Sequence, residues 1–178
     1  MGVGIAWIPF FLFAHIISLI SNILLGFLLK IKEFFPLDGY SYLYIAIISL
    51  GSCFYGLLAL FLSFRVSKRF FSTEDSFLAL LNIFLASPFV FVFYWMPTYA
   101  HLVDSFAIAL FLLMWIEKEK KKGKLWWFLW GLSFGFVCLV RWQNIVFSIL
   151  LFAPPRFHKL FINHLFFLIG AFLPFFHN

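Results

Sequence analysis

Six apolar runs with almost no charge inside them decide what this chain can become. They lie at about residues 5–29, 41–64, 77–96, 102–116, 125–153 and 160–176, and Asp104 and Arg141 are the only charged residues within them. A helix needs about 20 apolar residues to cross a hydrocarbon layer about 30 Å thick. The second, third and fifth runs reach that length. The fourth gains its missing turn from Thr98–His101, and the sixth barely spans. Over the whole chain 65% of residues are hydrophobic and 11% charged, with a mean hydropathy of +1.05. A soluble domain is about half apolar and about a quarter charged, and a small fold leaves much of its surface in water. The main solvent here must therefore be lipid.

In lipid, backbone polar groups must be satisfied within the segment, which leaves helices or closed barrels. No stretch alternates apolar and polar residues as a barrel strand does. The expected fold class is all-α: a polytopic integral membrane helical bundle of five to six hydrophobic helices. It forms one domain over 1–178, with helices at about 5–29, 41–64, 77–96, 102–116, 125–151 and 160–176.

The net charge of +6 does not point to nucleic acid, because the cations gather in short loops between apolar runs. Arg65, Lys68 and Arg69 lie in the loop 65–75; Lys118, Lys120, Lys121, Lys122 and Lys124 lie in the loop 117–124. Two crossings separate these loops, so they share a side. Lys30, Lys32, Arg156 and Lys159 fall on the other. The positive-inside bias then predicts loops 65–75 and 117–124 to be cytoplasmic, in a cell (inner) membrane. Trp115, Trp126 and Trp127 flank the lysine loop, as interfacial aromatics do. Lysines placed there suit anionic headgroups. Cys53 and Cys138 sit inside apolar runs and suggest packing residues, with no disulfide or metal framework.

Three polar groupings interrupt the apolar pattern. In the first run His15, Ser18 and Asn22 fall on one helical face, which suits a packed crossing helix or one lying in the interface. Its 25 nearly uncharged residues favour insertion. In the stretch LVRWQNIVF (139–147), Arg141 follows Leu125 by sixteen residues, roughly 24 Å of helical rise. That places it a turn or so below the membrane surface opposite the lysine loop. Two orientations fit. The long side chain can snorkel outward, or it can point into the protein, as an ionisable group inside a membrane domain does at a functional site. The second gains from the shared face of Arg141, Asn144 and Ser148, with Gln143 pointing elsewhere. Gly131, Gly135 and Cys138 lie beside it and permit close helix contact. A guanidinium there could grip a phosphate through two parallel hydrogen bonds.

The third grouping is FYWMPTYAHLVDSF (93–106). Thr98 can cap the following helix, and His101 and Asp104, three apart, share a face. Asp104 can serve the positive end of the helix, and the pair can do acid–base work or recognise a sugar. A metal would need ligands from elsewhere. Asp38, beside Gly39 in the turn before the second run, is a further acidic candidate.

Taken together, GIAWIPFFLFAH, DGYSYLY, LALLNIFLASPFVFVFYW, AHLVDSFAIAL and GLSFGFVCLVRWQN resemble the membrane core of GT-C-type glycosyltransferases. These are the polytopic enzymes related to protein O-mannosyltransferases and lipid A aminoarabinose transferases. The most specific matches are the His-x-x-Asp-Ser-Phe and Arg-x-Gln-Asn stretches. The resemblance implies transfer of a sugar from a polyprenyl-phosphate carrier in the lipid bilayer. Arg141 and Asn144 would hold the carrier phosphate, and Asp104, His101 or Asp38 are candidates for catalysis. A divalent metal beside an acidic residue is a family cofactor. The family's acidic motif and first helix precede the point where this chain begins, and its later helices are missing. The expectation is a partial version of that core, inactive alone. In the family the stretch matching 5–29 lies against the outer face. The rival expectation is a non-catalytic assembly subunit or small transporter component, whose polar stripes serve helix packing; no internal repeat supports a transporter.

Overall fold

The computed structural model describes residues 2–29, 35–117, 123–151 and 161–175. Lys30, Lys32, Lys118, Lys120, Lys121, Lys122, Arg156 and Lys159, which entered the charge count, lie outside them. Every regular element among the described residues is helical. The helices are α1 (Gly2–Leu29), α2 (Tyr42–Ser67), α3 (Thr73–Ala86), α4 (Pro88–Trp95), α5 (His101–Glu117), α6 (Lys124–Val140) and α7 (Phe161–Phe172). A 3-10 helix, Trp142–Leu151, follows α6, and a short one, Leu173–Phe175, follows α7.

Two helices are long and apolar enough to cross a membrane, Gly2–Leu25 within α1 and the whole of α2, and a third is reached if α3 and α4 together form one span. The outward surface is apolar, with Phe27 86% and Leu50 69% exposed. Small and polar side chains such as Ala14, Ser18, Ser52 and Asp104 are buried. A chain built for lipid has this distribution, because lipid-facing positions tolerate large apolar groups while helix contacts select small ones. The structure is thus an all-helical protein compatible with membrane insertion.

The run at 77–96, read from sequence as one helix, is two helices bent by 61°. The cause is local. Pro88 bars its predecessor from the helical region, so Ser87 sits extended at φ −103 and ψ 166 and caps α4 through Phe89 N at 3.2 Å. At the other end of α3, Ser72 Oγ accepts from Asp75 N at 3.1 Å and donates to Asp75 Oδ2 at 2.6 Å. Ser72→Ala should therefore loosen the first turn of α3 by about 1 kcal/mol. Faster amide hydrogen exchange at residues 74–76, with no change in α2, is the result to look for.

Side-chain contacts give the directions of the elements. Tyr55 packs on Phe106 with ring centroids 5.1 Å apart and Arg65 reaches Glu117 at 3.6 Å, so α2 and α5 run parallel. The same ion pair joins the starts of the two basic loops at one end of the bundle. Phe111 packs on Trp130 and Phe134, while Arg141 lies against His101, so α6 runs antiparallel to α5. Gly131 abuts Phe167 and Gly135 abuts Ala171, which makes α7 parallel to α6. α1 opposes α2: Trp7 Nε1 donates to Ser52 Oγ at 2.9 Å, and His15 bonds the Tyr44 hydroxyl at 2.6 Å. The polar stripe of α1 is thereby spent on packing. Asn22 clasps both backbone groups of Phe35, at 2.7 and 2.9 Å, and Ser18 is buried. The core lies where α5, α6 and α7 meet, around Phe111, Trp130, Phe134 and Phe167.

The helix expected to run unbroken from 125 to 151 ends at Val140. Arg141 is extended, with φ −146 and ψ 120. The chain then turns back: Arg141 contacts His101, Asn144 contacts Asp104 and Phe147 packs on Phe111. Rising numbers on the 3-10 helix meet rising numbers on α5, so this segment descends beside α5 and re-enters the bundle.

Candidate functional site

The two polar groupings that stood forty residues apart in sequence form one cluster at this reversal. Arg141 Nη2 lies 2.9 Å from His101 Nδ1, and Arg141 Nε lies 3.5 Å from Asp104 Oδ2. Asn144 Nδ2 donates to Asp104 Oδ1 at 2.6 Å and to the Val137 carbonyl at 3.3 Å. Asp104 is 8% and Asn144 9% exposed. The Arg141 side chain retains 33% exposure, and His101 is exposed.

Each member is placed by a local device. α5 begins at His101, three residues beyond the Thr98 expected to cap it, and its first turn carries Asp104 inward. α6 ends at Val140, and Asn144 adds a second donor to the Val137 carbonyl, which already accepts from Arg141 N at 3.1 Å. One amide side chain thus ties the end of α6 to Asp104. The 3-10 winding, three residues per turn, puts Phe147 on the face of Arg141 and Asn144. Ser148, expected there from α-helical spacing, is displaced from it.

Leu102 and Phe106 pack at Gly56 and Tyr55 of α2, about halfway along that helix, so the cluster at the start of α5 lies level with the outer half of α2. Asp104 lies along one edge of the Arg141 guanidinium and the His101 ring accepts from another. That bond requires the accepting ring nitrogen to carry no proton. Nη1 has no protein partner among the described residues.

A divalent ion does not fit this arrangement. Both Asp104 oxygens are engaged by Asn144 and Arg141, the guanidinium adds a positive charge alongside, and no group of three or more His, Cys, Asp or Glu forms among the described residues. Asp38 stands apart from the cluster. Its Oδ1 accepts from Tyr40 N and Ser41 N, both at 2.8 Å, a turn that Gly39 completes with φ 78.

Sequence reasoning found all four members of the cluster and missed the neighbouring cleft, of roughly 370 Å³, bounded by Trp7, Phe11, Asp38, Tyr40 and Thr98. Nothing in the pattern of α1 separates Trp7 from the many other aromatics of the chain. Compared with known proteins, the chain matches no family model, no curated protein and no solved structure.

Proposed function

We propose that this chain is a multi-pass membrane protein, of five to six crossings, that binds the phosphate of a polyprenyl carrier at Arg141. It would act as the membrane core of a glycosyltransferase that draws its sugar from that carrier. Loops 65–75 and 117–124 face the cytoplasm of a cell membrane in this reading, and the cluster opens toward the other side. The single observation that carries it is the state of Arg141: a guanidinium held on two sides by buried or polar partners, a third exposed, with one nitrogen uncommitted. A side chain fixed in this way loses little freedom on gripping a phosphate, and charge-assisted bonds of that kind are among the stronger ones available. Asp104 and Asn144 act as positioning residues. His101 holds one guanidinium edge and is close enough to the anion to exchange a proton with it.

A second reading has its own observation. Asp104 already balances the charge of Arg141, as it would in a subunit whose polar cluster only locks α5, α6 and the 3-10 helix together.

Binding separates the two. In lipid nanodiscs the intact chain should retain a radiolabelled polyprenyl phosphate in preference to the same polyprenol lacking phosphate. Arg141→Ala should weaken that retention by about tenfold, the equivalent of one charge-assisted hydrogen bond. Arg141→Lys should fall between, since it keeps the charge and loses the fork. Equal retention of both lipids, or an alanine variant like the parent, selects the packing reading.

A further inference from the structure

We infer that the cleft between α1 and the N-terminal half of α2 receives a neutral, hydroxyl-rich sugar ring. This deepens the reading above by placing the ring beside the phosphate that Arg141 would hold. At roughly 370 Å³ the cleft is within the usual range for small-molecule sites. It starts at the Asp38–Tyr40 turn, next to the first residues of α2, with Ile45 and Ile48 on its α2 side, and its other walls belong to segments that also reach the Arg141 cluster. Two walls make that connection. Thr98 lies three residues before His101. Trp7 lies a little over one helical turn beyond Gly2, which rests on the backbone of Leu139 and Val140 immediately before Arg141.

The lining fits one kind of ring. Trp7 and Phe11 on one wall and Tyr40 at the rim supply aromatic faces, whose negative potential attracts the faintly positive C–H groups of a pyranose. Trp7 is fixed in place by its bond to Ser52. Asp38 is fixed as well, because Oδ1 takes two backbone N–H groups. Its Oδ2 meets no protein donor among the described residues. An ionised carboxylate only accepts hydrogen bonds, so the free oxygen calls for hydroxyl donors on the ligand, and the hydroxyl of Thr98 can meet others. The described residues that line the cleft include one anion and no cation. A ring bearing its own carboxylate would meet Asp38 with no lining cation to offset the repulsion, so a uronic acid should bind more weakly.

The test uses the intact chain in nanodiscs and equilibrium dialysis of radiolabelled methyl glucoside, methyl mannoside and methyl galactoside, each against its hexuronide. At least one neutral glycoside should be retained, at least fivefold over its hexuronide. Asp38→Asn keeps the turn, because the amide oxygen still accepts both backbone bonds, and should narrow that preference to less than twofold. Tyr40→Ala, at an exposed rim position, should weaken retention of the neutral ring with unchanged melting temperature. Retention of none of the glycosides overturns the inference and leaves the cleft to an acyl chain. An Asp38→Asn variant that discriminates as the parent does overturns it too. Loss of polyprenyl-phosphate binding with glycoside retention intact removes the carrier and keeps the sugar site. The reverse pattern removes the sugar site alone.

Discussion

Asp104→Ala is expected to destabilise the protein by about 2–3 kcal/mol, chiefly because it leaves the buried Asn144 amide without its acceptor. The loss has two sources. Arg141 Nε and Asn144 Nδ2 both lose their acceptor, at 3.5 and 2.6 Å. With Asp104 8% exposed, little water can replace it. Asn144 then holds the end of α6 through Val137 alone, so the chain reversal at Arg141 should loosen with it. Asp104→Asn should cost less, because its amide oxygen still accepts from Asn144. The informative variant is the double one. Asp104→Leu combined with Arg141→Met removes both charges and should recover part of the lost stability, since apolar replacement of an ion pair is often tolerated, while Asn144 Nδ2 stays without its acceptor. The double variant would then be folded and unable to prefer a polyprenyl phosphate. Thermal unfolding in detergent micelles ranks the three. If Asp104→Ala melts with the parent, the cluster is not the structural joint described above.

How much of this was legible from sequence follows from the range of each interaction. The apolar runs fix helices and lipid solvent because those depend on local composition. His101 with Asp104, and Arg141 with Asn144, were separately visible, because a polar residue in an apolar run stands out wherever it lies. Their meeting was not visible. It depends on α5 and α6 being antiparallel and ending at one level, a property of the loops and of packing at Phe111, Trp130 and Phe134. The helix stop at Arg141 was missed for a related reason. Neither proline nor glycine marks it, and the bond that holds the reversed chain against α5, from Asn144 to Asp104, is tertiary. The break at Ser87-Pro88 carried a local signal, since proline restricts the residue before it, and only the length of the apolar run hid it.

The second large effect belongs to the helix seam. Gly131→Val should separate α7 from α6 and cost about 3 kcal/mol, the upper end for overfilling a packed site. A Cβ at Gly131 would overlap the carbonyl of Phe167, and one at Gly135 the carbonyl of Ala171. Gly170 on α7 makes the reciprocal approach to the Phe128 carbonyl. These are backbone atoms on both sides, so no rotamer change relieves the overlap; one helix must move. Valine adds two branches that are stiff at χ1. Movement would also break the ring contacts of Trp130 with Phe167, at 4.7 Å, and of Trp127 with His164, at 5.5 Å. In lipid the cost is not softened by a hydrophobic drive to reassociate, because close van der Waals packing is itself what holds such helices together. Quenching of tryptophan fluorescence by brominated lipid should rise as the two indoles lose their cover, alongside a fall in melting temperature. Gly4→Ala supplies the contrast: the glycine stands in the first turn of α1 and its added methyl meets nothing within 4 Å, so the melting temperature should hold or rise slightly. If the two variants move the melting temperature alike, close glycine packing is not what joins α6 to α7.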